Sequence, residues 1–206
     1  MGFLGKIFRL IYCRAKAEDA PADALHQCAH RSRSLMSNLG NLKLIQKAKE
    51  RDPEAFTELM NLYMKDMYRT AVAILMNDAD AADAIQETIL ACWERLSFLR
   101  DDKFFKTWMT RILINKCHDI RSQRIETVEI SEHEELAFHE DESNLELKDA
   151  LEQLDEKYRL PIMMFYGDGY SAKEIAAILD VPVSTIQTRL SRGRAQLGRY
   201  FDNSKE

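Results

Sequence analysis

Apolar residues recur at intervals of three and four along most of this chain, and that period belongs to helices with one buried face. Leu42, Ile45 and Ala48 predict a first helix, which Asp52-Pro53 interrupts. Phe56, Leu59, Tyr63, Met67, Ala71 and Leu75 predict a second, and Asn77-Asp78 marks the turn after it. Ala81, Ile85, Ile89, Cys92 and Leu96 repeat the spacing, with Trp93 one position off the stripe and widening it. A further helix runs through DDKFFKTWMTRILINKCHDIRSQR, where Trp108, Met109, Ile112, Leu113 and Cys117 are candidate core.

The pattern resumes at Leu145, Leu147, Ala150, Leu151 and Leu154, and again at Leu160, Ile162, Met163 and Phe165. Pro161 suits the opening turn of that second segment, where a missing N–H has no cost. A turn at Gly167–Gly169 follows. Ser171 with Glu174 three residues later is a capping box, which marks a helix start. Ile175, Ala176 and Leu179 form the inward side of this short helix, and Asp180-Val181-Pro182 breaks it. The next helix begins at Pro182 or Ser184 and keeps Ile186, Leu190 and Leu197 inward. Two short helices joined by a tight turn make a helix-turn-helix. Thr185, Gln187, Thr188, Arg189 and Arg192 lie on the other faces of its second helix, where Gln, Thr and Arg meet base edges and basic groups meet phosphate. By periodicity alone, the same residues also fit the wet face of an ordinary three-helix unit.

Composition supports an all-α reading. Only 7 Gly and 4 Pro occur in 206 residues, so long helices are favoured over a turn-rich sheet. The expected organisation is two small helical domains, over 39–124 and 145–203, with an extension over 1–38 before them. Charge supplies the connector. The net charge of -5 is concentrated in residues 125–157, where 13 acidic side chains face 2 basic ones. The stretch IETVEISEHEELAFHEDES has few bulky apolar residues at fixed spacing, and its charges repel one another. An acidic flexible linker over 125–144 is therefore expected. Outside that block the chain is mildly basic, so overall acidity does not oppose nucleic-acid binding.

Several function classes drop away. There is no HExxH, GxGxxG, Walker loop or G-x-S-x-G motif, and no candidate nucleophile outside the apolar stripe lies near His118 and Asp119. A recombinase or nuclease carrying a helix-turn-helix would need clustered nucleophiles or metal-binding carboxylates, which do not assemble. The four cysteines, Cys13, Cys28, Cys92 and Cys117, form no CxxC pair, and buried free thiols in a reducing compartment are expected. His26, Cys28 and His30 would share one face of a strand, but no fourth ligand accompanies them; neither metal nor cofactor is expected. No apolar run reaches membrane-spanning length. Phe3, Leu4, Ile7, Phe8 and Ile11 form an amphipathic stripe over residues 1–16, interrupted by Lys6 and Arg9. It is a poor signal peptide, and it allows a weak membrane contact, a partner contact or a dispensable leader. Met36 offers a second start just before the globular pattern.

Two polar sets remain. Asp80, Asp83, Gln86 and Glu87 face outward on the third helix, which by itself describes a solvated face. Lys106, Arg111, Lys116, Arg121 and Arg124 interleave with Phe104, Phe105 and Trp108. That mixture suits stacking on unpaired bases and gripping their backbone, although aromatics at such spacing also build cores.

With these pieces in order, the chain resembles the bacterial sigma-70 family, specifically its small two-domain extracytoplasmic-function sigma factors. DPEAFTELMNLYMKDMYRTAVAIL, DADAADAIQETILACWERL, FKTWMTRILINKCHD and GDGYSAKEIAAILDVPVSTIQTRLSRGRAQL carry the resemblance. It implies a first domain that clamps a coiled coil of core RNA polymerase, with Asp83, Gln86 and Glu87 at the contact. The same domain would capture the melted promoter -10 element through Lys103, Lys106, Trp108, Arg111, Asn115, Asp119 and Arg121. The second domain would read the -35 duplex through Thr185, Gln187, Thr188, Arg189 and Arg192. The linker would pass through polymerase channels, mimicking nucleic-acid charge. Core RNA polymerase and promoter DNA are thus the implied partners, an anti-sigma factor is a further one, and the location is cytoplasmic. A stand-alone helix-turn-helix regulator is the alternative. Three departures stand out. Ser184-Thr185-Ile186-Gln187-Thr188-Arg189 replaces a common Gly-Thr-Val-Lys-Ser-Arg run, Leu154-Asp155 replaces a usual Leu-Pro, and residues 1–35 have no counterpart.

Overall fold

The computed structural model describes residues 41–127 and 145–203. These fall into two compact units, the first stretch in one and the second in the other. The described residues form helices and turns, with no strand among them. The extension over 1–38, the His26-Cys28-His30 group and nearly all of the acidic linker lie outside the described residues.

In the first unit, helix α1 covers residues 41–49. Arg51 then takes a left-handed conformation, φ 68, and Asp52 starts α2, Pro53–Leu75. The Asp52 carboxylate accepts from the backbone N–H of Glu54 and Ala55, at 3.0 and 3.1 Å. Pro53 in the first turn has no N–H to satisfy. Met76 closes α2 in a left-handed conformation, its N–H bonding the Val72 carbonyl. Asn77 caps α3, Asp78–Arg95, by accepting from Asp80 N–H at 2.9 Å. Two short 3-10 turns, Leu96–Phe98 and Asp102–Phe104, lead into α4, Phe105–Thr127.

Packing of α2, α3 and α4 against one another makes this unit's core. Leu59, Met67, Leu96, Phe105, Met109 and Leu113 are fully buried. Ala71, Ala81 and Ala84 are too, and these small side chains let the helices approach closely. The buried stripe differs in detail from the periodic reading. Trp108, Ile112, Tyr63 and Leu75 are only half-buried, while Thr70, Thr88 and Thr110 are buried. Thr88 is accommodated because its hydroxyl donates to the Ala84 carbonyl at 2.6 Å. Arg51 ties α1 to α3: its guanidinium donates to the Trp93 carbonyl at 2.8 Å and lies 5.2 Å from the ring centroid.

The second unit contains α5, Leu145–Glu152, and α6, Glu156–Ile162. A π turn over Met163–Gly167 comes next, then α7, Ala172–Leu179, and α8, Val183–Asn203. Pro161 does not open its helix; it sits inside α6 near the carboxyl end. Its ring cannot donate to the carbonyl four residues back, and the backbone widens into the π turn just beyond it. The reason lies upstream: Asp155 already starts the helix, its carbonyl accepting from Tyr158 and Arg159 N–H at 2.9 and 3.0 Å. Arg159 is buried, and its guanidinium donates to the Leu154 carbonyl at 2.8 Å. It thereby serves a carbonyl just past the end of α5, which no helical N–H reaches.

Ser171 and Glu174 form the capping box, with reciprocal bonds of 3.3 and 2.8 Å. Ala172, Ile175, Ala176 and Ile178 are the buried side of α7; Ile178 takes the place expected of Leu179, which is half-buried. Asp180 ends α7 with φ 54, and the Pro182 carbonyl accepts the first N–H groups of α8. Ile186, Leu190, Leu197 and Phe201 hold α8 to the core.

Candidate partner and nucleic-acid interfaces

Three surfaces carry the polar side chains singled out by sequence. On α3, Asp83, Gln86 and Glu87 are all exposed, and their spacing of three and four puts them on one face. Glu87 pairs with Lys116 of α4 at 2.9 Å, a half-exposed ion pair of little stabilising value. Leu90 continues the same face and is 65% exposed, with Glu94 one turn further on. An acidic face with an uncovered leucine in its middle suits a partner surface with basic and apolar groups. Leu90 escaped the sequence reading. The available signal was an apolar residue outside the inward stripe of α3.

The second surface is on α4 and the turns before it. Trp108, Arg111, Asn115 and Asp119, spaced by three, four and four, form one stripe. Arg111, Asn115 and Asp119 are exposed and Trp108 half-buried. Lys103 is exposed on the turn before the helix. Lys106 and Arg121 are not on this stripe. Both are half-buried toward the packed side: Lys106 pairs with Asp66 of α2 at 2.9 Å, and Arg121 bonds the His118 Nδ1 at 2.9 Å. Arg124 reaches Asp80 of α3 at 2.6 Å. The aromatic residues separate too. Phe105 is core, with its ring 5.9 Å from Trp108, whereas Phe104 is 61% exposed. Phe98, not singled out by sequence, is 80% exposed in the preceding turn. Phe98 and Phe104 therefore offer uncovered ring faces near the Trp108–Asp119 stripe, which is what stacking on unpaired bases requires.

The third surface is α8. Ser184, Gln187, Thr188, Ser191 and Arg192 are exposed, and Thr185 and Arg189 are half-buried at the flank. The Thr188 hydroxyl donates to the Ser184 carbonyl at 2.9 Å, so its lone pairs remain to face outward. No ion pair joins Arg189 or Arg192 to a described residue. Two guanidinium groups without carboxylates, beside Gln187 and Thr188 on the leading half of a helix, fit the edge and backbone of a duplex. Arg194 turns away, reaching the buried Tyr166 hydroxyl at 3.4 Å. Among the described residues no cluster of His, Cys, Asp or Glu is arranged to hold a metal ion. No described helix is long and apolar enough to cross a membrane.

Comparison with known proteins matches these surfaces to two family segments in order. Residues 59–125 match the model for sigma-70 region 2, and residues 144–197 the model for sigma-70 region 4. The ECF RNA polymerase sigma factor SigW of Bacillus subtilis is 30% identical over 178 residues, which span 77% of this chain and 95% of SigW. The chain belongs to the ECF sigma factors of the sigma-70 family. The Escherichia coli K12 ECF sigma-E factor is 28% identical over 171 residues, 73% of this chain and 88% of that protein. CnrH, solved in complex with the cytosolic domain of CnrY, superposes with a TM-score of 0.61 at 25% identity. The match covers 79% of this chain and 97% of CnrH. The sigma factor RpoE of Bartonella quintana, solved with the anti-sigma factor NepR, shares the fold at a TM-score of 0.62 and 24% identity. It covers 71% of this chain and 96% of RpoE. As a sigma factor this chain directs promoter-specific transcription by contacts, with no bond chemistry of its own.

Proposed function

We propose that this sigma factor docks on core RNA polymerase through the acidic face of α3, with Asp83, Gln86 and Glu87 around Leu90. The Trp108–Arg111–Asn115–Asp119 stripe, with Lys103 and the exposed Phe98 and Phe104 rings, captures the melted -10 strand. Lys106 and Arg121 support that edge from behind, through Asp66 and His118. Thr185, Gln187, Thr188, Arg189 and Arg192 read the -35 duplex. Residues 39–124 and 145–203 are the two working domains, and the acidic stretch 125–144 is the tether that lets each meet its own DNA site. The chain acts in the cytoplasm beside the polymerase, and a protein that covers its polymerase face restrains it as an anti-sigma factor.

One observation carries this reading: region 2 and region 4 segments occur in order, each with its polar face exposed. Run-off transcription with core polymerase over a promoter library tests it. Initiation confined to a subset of promoters and dependent on added protein is expected. Duplex binding with no such initiation would overturn it and favour a stand-alone regulator.

A further inference from the structure

Lys49 ends α1 and takes no part in the surfaces assigned above, yet its ammonium spans the loop that joins α3 to α4. It donates to the Leu99 carbonyl at 2.7 Å and pairs with the Asp102 carboxylate. Both bonds come from one nitrogen. The residue after the first 3-10 turn and the first residue of the second are therefore drawn to a common point. The base of this staple is itself fixed. Ile45 and Ala48 bury α1, and Arg51 just beyond it holds the Trp93 carbonyl near the end of α3. The Lys49 and Asp102 side chains are 23% and 17% exposed, so salt screens this pair less than one at the surface.

The loop needs such a tie. Leu96 and Leu99 anchor its start by burial, and Phe105 anchors its end. Between Leu99 and Asp102 stand Arg100 and Asp101, both exposed, and neither fixes the path of the chain by packing. Asp101 holds the second turn locally, accepting from Lys103 N–H at 3.0 Å; that bond does not reach the first turn. Phe98 immediately precedes Leu99, Phe104 follows Asp102 by two residues, and both rings are largely uncovered. Burial of the rings therefore does not set the distance between them. The Lys49 staple, by holding the two turns that carry them, does.

We infer that Lys49 is a positioning residue for capture of the melted -10 strand: it presets the loop so that Phe98 and Phe104 meet unpaired bases already in place. The inference rests on the reading that this edge takes the -10 strand. In this role Lys49 touches no DNA. It acts on the fraction of molecules whose loop is ready to bind. A loop that holds the capturing arrangement about a tenth of the time binds about tenfold more weakly.

Binding of holoenzyme, made from core polymerase and the full chain, to a labelled single-stranded -10 oligonucleotide tests it, the sequence being taken from a promoter active in run-off transcription. Lys49→Met removes the ammonium and keeps the aliphatic stem. Affinity for the oligonucleotide is expected to fall about tenfold, with polymerase association and the salt slope at parent values. Lys49→Arg should restore most of the affinity, since a guanidinium has donors for both acceptors. Asp102→Asn keeps the Leu99 bond and should show a smaller loss in the same direction. Parent affinity in Lys49→Met would overturn the proposal; should that variant fail to fold, parent affinity in Asp102→Asn would overturn it instead. So would a slope flattened by about 0.7 in Lys49→Met, which marks direct phosphate contact on a single strand. Equal loss of polymerase association and strand binding would make Lys49 a purely structural residue and overturn it as well. If Phe104→Ala weakens strand binding while Lys49→Met does not, the -10 reading stands and only the staple falls. A parent holoenzyme that binds a scrambled oligonucleotide equally well would overturn both.

Discussion

Glu87 carries a charge that is paired within the fold and that we propose also meets the polymerase. Its carboxylate is half exposed and shared with Lys116; such a pair contributes about 1 kcal/mol or less to folding. Glu87→Lys should leave the melting transition nearly unchanged while weakening association with core polymerase, because it reverses charge at the proposed contact. Affinity measured by fluorescence anisotropy against core enzyme checks this, and parent-like affinity would remove Glu87 from the interface. At Tyr68 the environment acts on a proton instead. Partial burial, together with the hydroxyl's hydrogen bond to Asp78 at 2.7 Å, raises its pKa to about 12. Burial likewise raises the Cys92 thiol to about 12. Both groups hold their proton more tightly in the folded chain than in the unfolded one. Their stabilising contribution is complete below the ordinary values of 10.0 and 9.0 and is lost as pH rises toward 12. Denaturant midpoints should fall between about pH 9 and 12, and Tyr68→Phe should flatten the part of that fall above pH 10.0.

At the scale of elements, the reading helix depends on how α6 and α7 support it. The capping box holds the start of α7, and Ser171→Ala is expected to cost the second unit about 1 kcal/mol. The same variant should loosen duplex binding only as far as α7 frays, which hydrogen exchange at Ala172–Ile175 would report. Gly193 governs the other support. An alanine there gains about 1 kcal/mol in helix propensity but meets Ile162 Cδ1 at 2.5 Å. Overpacking of this kind costs about 1–3 kcal/mol, so Gly193→Ala should be neutral to destabilising. Ile162→Val removes the Cδ1 atom in the way. A double-mutant cycle on Gly193→Ala and Ile162→Val should therefore show favourable coupling, and strict additivity would mean the helices shift apart instead.

At the scale of the whole molecule, the proposed surfaces are expected to separate by function. Joint replacement of Arg189 and Arg192 by alanine should reduce duplex affinity and its salt dependence while leaving polymerase association intact. Glu87→Lys should do the reverse, and both should lose promoter-specific run-off transcription. A variant pair in which both defects appeared together would show that the two surfaces are not independent.

Much of this protein is legible along the chain. Periods of three and four, Asp52-Pro53, Asn77, the Ser171–Glu174 box and Asp180-Val181-Pro182 act within a few residues of themselves, so sequence alone determines the helices and most of their ends. The helix-turn-helix and the outward faces of α3 and α8 follow from the same local rule, since rotation per residue is set by the backbone. Only tertiary structure decided the rest. That Lys106 pairs with Asp66 of α2 and that Arg159 is buried against backbone carbonyls both depend on neighbours distant in sequence or in adjoining elements. Pro161 was misplaced because the start of α6 is set by Asp155, not by the proline. Leu90, Phe98 and Phe104 stand exposed because the core fills without them, and α6 and α8 touch because Gly193 carries no side chain to hold them apart. Periodicity gives each residue a direction on its own helix; packing decides what it meets there.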